Sequence, residues 1–432
     1  MKAIINACLY DFYEYHDDSY LLFDEVIEKT GPMSEFNKEM ANEITDLKGG
    51  FLLPGLVIGH THLYGAFMRG CSIPQVHSVT FREQLEQLYW KVDGGLDNEA
   101  SYYSAKTLAM DHIRCGVTTI FDHHASGTEI IGSLEAVKKA WTDETGLRGI
   151  YCFETSDRFN VEECIRENVD FHAKGSDSMH ASMFGMHASM SICDRTLSMV
   201  AEAAKGIPVH VHVGESLEDE EESAARYGKR IVERLVDAGL AVPGSIFAHC
   251  VNINDREAAL MSEHGCTAAL NITSNLNTGN GLPDYRLLER YRIQAMLGND
   301  SLGSNFAYDI RNSMFGMHLR TKNPWWFDYG KLLECVRNSY RMASGALGVK
   351  LGRLKEGYQA DFASVDYAAP TPVNRQNVWG HVLDGIFNSY HPRNLWCAGE
   401  LKMSDYQVAF DEEEICRQAK KSAEALWKRI GC

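Results

Sequence analysis

Two histidines, His60 and His62, follow the apolar run that opens the stretch "LPGLVIGHTHLYGAFMRG" at positions 53–70. In a strand, side chains at i and i+2 point to the same face, so these imidazoles converge, as do His210 and His212 in "GIPVHVHVGE". His212 closes its apolar run and is followed three residues later by Glu215. His249 closes "GSIFAHCVN", and Asp300 closes "YRIQAMLGND". Four separate runs therefore end in an imidazole or a carboxylate. Three imidazoles and one carboxylate suit Zn²⁺ or Fe²⁺ and leave a coordination position for water.

Such convergence needs elements that bring distant strand ends to one place. Eight β-rich apolar runs recur, at 51–59, 116–124, 146–155, 182–189, 206–215, 244–252, 265–272 and 291–300, and helical patterns such as "NEASYYSAKTLAMDHIRC" separate them. Strands alternating with helices predict a parallel sheet, and eight units predict an α/β fold of the (β/α)8 TIM-barrel type over 51–350, with chemistry at the C-terminal strand ends. Residues 1–50 and 351–432 read as short strands with turns. They are expected to combine into one small discontinuous β-sandwich domain, closed by an amphipathic helix at 411–430 that Asp411 caps.

The net charge of -17, from 42 Lys+Arg and 59 Asp+Glu, argues against nucleic-acid or anionic-membrane partners. No signal-peptide core and no long apolar run is visible, and the twelve cysteines form no C-x-x-C pair. A cytoplasmic protein whose cysteines are mostly buried free thiols is the expectation. The aromatic cluster "NPWWFDYG" at 323–330 is expected in the core or at a subunit interface. Walker, dinucleotide and nucleophile-elbow motifs are absent.

The segments "PGLVIGHTHL", "VHVHVGES", "FAHC", "NITSNLNTG", "LGNDSLGSN" and "GRLKEGYQADF" closely resemble, in order, the amidohydrolase superfamily. They are most similar to its cytosine, guanine and S-adenosylhomocysteine deaminase and chlorohydrolase branch. Within it, "GVTTIFDHHASG" and "MHASMSICDRTL" resemble the SsnA-like aminohydrolases. The resemblance implies that His60, His62, His212 and Asp300 bind one divalent metal, Zn²⁺ before Fe²⁺. It further implies that Glu215 shuttles protons and that His249 sits beside the metal and polarises the attacked group, while Asp300 accepts the proton of the attacking water. Binuclear members use a carbamylated lysine at the end of the fourth strand, and "FGMHASMSICD" has no lysine there, which favours a mononuclear site.

Further positions are candidates for substrate contact. His187 matches a strand position where related deaminases place a substrate-touching histidine. Arg69 is expected either to hold a substrate oxygen or to brace the first loop, and Asn275 to bond the seventh loop or the substrate. At most one of His123 and His124 is expected to line the pocket, and His210 is expected behind the ligands. The expected activity is hydrolytic deamination of a small purine-like or pteridine-like heterocycle, with hydrolytic ring opening as the alternative. A homodimer is implied by the resemblance alone. An idle relative of the fold would have lost a ligand or the proton shuttle, and none is lost here; a metal store would show further Cys/His clusters.

Overall fold

The computed structural model describes residues 1–74 and 76–432. Five strands open the chain: β1 (Lys2–Tyr10), β2 (Tyr15–Phe23), β3 (Ile27–Pro32), β4 (Glu43–Asp46) and β5 (Phe51–Pro54). Side chains alternate along β2, so Tyr20 and Leu22 pack into one apolar cluster and Leu21 and Phe23 into another.

The barrel follows, with β6 (Leu56–Thr61), β7 (Val117–His124), β8 (Arg148–Phe153), the short β9 (His180–Ser182), β10 (Phe184–Ala188), β11 (Val209–Val213), β12 (Ile246–His249), β13 (Thr267–Leu270) and β14 (Ala295–Leu297). Pairing is parallel from β6 through β8 to β9 and from β10 through β14. With β9 and β10, separated only by Met183, counted as one strand, the ring has eight, and two seams close it. At one, His187 N donates to Thr155 O (3.0 Å) beyond the end of β8. At the other, Asn299 N donates to His60 O (3.0 Å) just past β14. Gly59 permits that second approach, because a Cβ there would lie 2.8 Å from Met296 and 2.9 Å from Leu297 O. The residue before His60 is therefore a glycine for steric reasons.

The chain returns through β15 (Phe362–Val365), β16 (Asn394–Cys397), β17 (Glu400–Ser404) and β18 (Gln407–Val408). Antiparallel pairing of β15 with β5 joins both chain ends in one nine-stranded mixed sheet. The run 51–59, expected as a single barrel strand, is two strands broken at Gly55. Phe51–Pro54 belongs to the terminal sheet, paired with β1 and β15, and only Leu56–Thr61 enters the barrel. Both pieces are fully buried, so no polar residue marks the change of sheet, and the Pro54-Gly55 step is its one signal.

The closing helix, Glu412–Ile430, is capped by Asp411, whose side chain accepts from Glu414 N. It packs on helices Asn98–Arg114 and Trp90–Gly95 of the barrel. Phe327 is core and Trp326 partly buried, while Trp325 is 86% exposed. Six cysteines (Cys152, Cys164, Cys250, Cys266, Cys335 and Cys397) are buried as expected; the other six reach the surface wholly or in part. Among the described residues no helix is long and apolar enough to cross a membrane.

A fully buried ion pair ties the barrel to the terminal sheet. Arg148, the first residue of β8, donates through Nε and Nη2 to both oxygens of Asp361 (2.7 and 2.9 Å), and Nη2 also reaches Gln359 (2.8 Å). Removing one member leaves the other charge stranded in the interior, which costs roughly 3–5 kcal/mol. Asp361→Ala is therefore expected to lower the chemical-denaturation midpoint strongly, and Arg148→Met combined with Asp361→Leu to lower it much less. Equal losses in the single and double variants would show that packing, not the stranded charge, sets the cost.

Candidate metal centre

The strand ends bring His60, His62, His212, His249 and Asp300 together as the chain pattern implied. His60 Nε2 and His62 Nε2 lie 3.1 and 3.0 Å from Asp300 Oδ1. Ligand-capable atoms of His60, His212, His249 and Asp300 all fall within 4.8 Å of one another, and His62 forms an overlapping group with His123 and His212.

The remote nitrogens decide how these rings present themselves. His62 Nδ1 meets the carbonyl oxygen of His123 at 2.5 Å, and His212 Nδ1 meets that of His187 at 2.8 Å. A carbonyl only accepts, so both Nδ1 atoms carry the proton and, in the neutral rings, both Nε2 lone pairs face the centre. His60 Nδ1 pairs with His210 Nε2 at 2.8 Å, which places His210 behind His60. His249 Nδ1 is held by Asn275 Oδ1 (2.8 Å), and Asn271 Nδ2 approaches its Nε2 at 3.4 Å. This donor set, imidazoles oriented through their outer nitrogens around one carboxylate, fits a divalent metal.

Asp300 is fixed from the other side by Ser274 Oγ, which donates to Oδ2 at 2.6 Å. Burial would raise this carboxyl, but hydrogen bonds from His60 and His62 hold it well below the usual range. Burial lowers His60 to about 4 and takes His212 well below its usual value. On His62 burial is outweighed by Asp300, which lifts the ring to about 9, so a cation bound there displaces a proton. Two of the strand ends are also strained. His249 has φ 72° and Asp300 φ 52°, each followed by a further left-handed residue, Cys250 and Ser301. Such non-glycine conformations cost on the order of 1–3 kcal/mol each and persist where surrounding contacts impose them.

A cavity of about 390 Å³ opens onto the centre, lined by His62, His187, His212, Glu215, Asp300, Tyr64, Tyr89, Trp90, Asp93 and Glu154 among others. Glu215 Oε2 sits 3.6 Å from His249 Nε2, and Asn280 Nδ2 donates to its Oε1 at 3.2 Å. Burial pushes Glu215 up to about 7, against the pull of His249. The candidates for substrate contact separate. His187 lines the cavity. Its Nδ1 meets Ser191 Oγ at 2.5 Å, and that hydroxyl donates to Ala188 O, so the ring donates at Nδ1, and its Nε2, without hydrogen in the neutral ring, faces Glu154 Oε1 at 3.6 Å. Arg69 stands half-exposed at the rim, bonded to Asp111 (2.5 Å) and Ser304 (2.9 Å). Asn275 is fully buried behind His249, which it positions, and does not line the cavity. Neither His123 nor His124 lines it; His123 Nε2 donates to Met186 O and His210 O (3.0 and 3.1 Å) and its own carbonyl orients His62.

One group lay outside the sequence-level candidates. Glu154, one residue past β8, places Oε1 3.6–3.7 Å from His123, His187 and His212, while Arg158 bridges its Oε2 (3.4 Å) to Asp93 (2.7 Å). Burial pushes Glu154 up to about 8, against Arg158. The strand-end rule that found Asp300 also marks Glu154, in "YCFETSDRF".

The sequence profile of the amidohydrolase family matches residues 51–402. The 5'-deoxyadenosine deaminase of Methanosarcina mazei is 30% identical over 94% of each chain. Among solved structures, an adenosine deaminase from Xanthomonas campestris with bound zinc superposes with a TM-score of 0.84, at 20% identity over 98% of each chain. A variant of atrazine chlorohydrolase TrzN from Arthrobacter aurescens, complexed with zinc and atraton, gives 0.83 at 22% identity over 98% of this chain and 100% of that one.

The outer contacts predict a graded effect. His210→Phe leaves every direct ligand in place but removes the partner of His60 Nδ1, and it is expected to weaken metal affinity roughly 10–100-fold in competition with a chelator. Unchanged affinity would show that His60 needs no support from behind.

Proposed function

The chain belongs to the amidohydrolase family and is a hydrolase of carbon–nitrogen bonds other than peptide bonds, and from that premise we propose that it hydrolytically deaminates a small purine-like or pteridine-like heterocycle. The observation that carries this proposal is the convergence of the Nε2 atoms of His60 and His62 on Asp300 Oδ1, with Glu215 on the same cavity wall. His60, His62, His212 and Asp300 would hold one divalent metal, zinc first and ferrous iron second. Such a metal, when bound, acts as a Lewis acid that brings the pKa of water to about 7.

The rest belongs to the chain's own groups. Asp300 Oδ2, already hydrogen-bonded by Ser274, is placed to take the proton of the attacking water. Glu215, protonated near neutrality by its burial, donates to the ring nitrogen beside the attacked carbon and then helps the amino group leave. His249, held by Asn275 and Asn271, faces the oxygen that gains charge. His187 offers its Nε2 to a substrate N–H. Arg69 closes the rim. The cavity's volume suits a bicyclic base, and the nucleoside deaminases among the relatives support a purine-like ring. We infer a cytoplasmic protein, and a homodimer supported by the exposed stripe of Tyr308, Phe315 and Leu319 on helix Phe306–Thr321. Sedimentation velocity is expected to give twice the chain mass; a monomer at micromolar concentration would refute the dimer.

The activity test incubates protein reloaded with zinc or ferrous iron with purines, reduced purines, pteridines and pyrimidines, following ammonia and ultraviolet absorbance together. Ammonia release with the ring chromophore retained is expected, and Asp300→Ala is expected to abolish it. Glu215→Gln is expected to lower kcat/KM by about 10²–10⁴ at unchanged metal content. Loss of the chromophore without ammonia would replace deamination by ring opening.

A further inference from the structure

Two of the twelve cysteines touch. Cys71 Sγ and Cys432 Sγ lie 3.1 Å apart although 361 positions separate them in the chain, and Ser72 N donates to Cys432 Sγ at 2.8 Å. Cys432 is exposed and Cys71 half-buried, so small molecules reach the pair.

Each sulfur belongs to an element with a fixed place. Cys71 lies three residues past the short helix Leu63–Met68, in the segment that supplies Met68 and Arg69 to the cavity wall. Cys432 follows the helix Glu412–Ile430, which is anchored to that same region. Trp427 Nε1 donates to Phe67 O at 2.8 Å, Arg429 Nε donates to Gly95 O at 2.9 Å, and Arg429 pairs with Asp97 at 2.7 Å. The helix that ends before Cys432 is thus fixed by three contacts that do not involve sulfur, one of them to Phe67, four residues before Cys71.

We propose that Cys71 and Cys432 are a redox modification site, forming a reversible disulfide that fastens the closing helix to the loop carrying the cavity wall. The oxidant class is a low-molecular-weight disulfide, RSSR. Exposed Cys432 loses its proton and attacks one sulfur of RSSR, giving a mixed disulfide and a thiolate that takes up that proton as RSH. Cys71 then attacks the Cys432 sulfur, the second RS⁻ leaves, and the proton of Cys71 passes to it. Two protein thiols lose two electrons and two protons, and RSSR becomes two RSH. Burial, and Cys432 beside it, push the Cys71 thiol up to about 12, which makes Cys432 the sulfur that meets the oxidant. Closing so long a loop restricts the unfolded chain, so the oxidised protein is the more stable one.

The test equilibrates the full-length, metal-loaded protein in glutathione buffers of graded redox ratio, followed by alkylation, peptide mapping by mass spectrometry and thermal unfolding. The expected result is a cross-linked peptide joining Cys71 to Cys432 that appears and reverses with the ratio. The unfolding midpoint should rise by a few degrees in step with it. Cys71→Ser is expected to leave a glutathione adduct on Cys432 and to abolish the rise. Adducts on Cys432 in the wild-type protein without the cross-link, or a cross-link that leaves the midpoint unmoved, would overturn the proposal. Because the readouts are mass and stability, the outcome is independent of which substrate the cavity accepts.

Discussion

The structure depends on where two protons sit. Backbone carbonyls at the ends of neighbouring strands take the Nδ1 hydrogens of His62 and His212, which leaves both Nε2 atoms for the centre, His62 Nε2 lying 3.0 Å from Asp300 Oδ1. The carbonyls belong to His123 and His187, residues with no direct seat at the centre. Barrel closure is therefore more than a scaffold: the parallel register that aligns β6 with β7 and β10 with β11 also sets which ring nitrogen of His62 and His212 carries the proton. A register slip would turn each ring's lone pair away and dismantle the donor set.

Around this constraint the interior carries buried ion pairs. Arg148 and Asp361 pair beneath the barrel, and Arg158 joins Asp93 to Glu154 along the cavity. Buried pairs of this kind add little net stability but are costly to break. The left-handed backbone at His249 and Asp300 has the same character, since strain of this size survives where neighbouring contacts allow no alternative. Strained strand ends held in place by their neighbours keep Glu215 and Asp300 on the wall of one 390 Å³ cavity.

Much of this was legible in the chain. Alternating strand and helix patterns mark the eight barrel units, and an imidazole or carboxylate at four strand ends marks the centre, because period two and the geometry of the barrel mouth follow from local rules. Other features were not legible. The switch at Gly55 is hidden because Phe51–Pro54 and Leu56–Thr61 are equally apolar and their sheets differ only in long-range pairing. Asn275 belongs to His249 through a contact across 26 positions, which no local pattern encodes. Glu154 was within reach of the strand-end rule, but its setting, three imidazoles on one oxygen and a guanidinium on the other, exists only after closure.

X-ray absorption on protein loaded with zinc tests the central claim most directly. A shell of nitrogen and oxygen alone, at about 2.0–2.1 Å, with imidazole scattering and no neighbouring metal, is the predicted result. Sulfur in the shell at about 2.3 Å, or a second metal at about 3.5–4 Å, would contradict the assignment of a single centre held by His60, His62, His212 and Asp300.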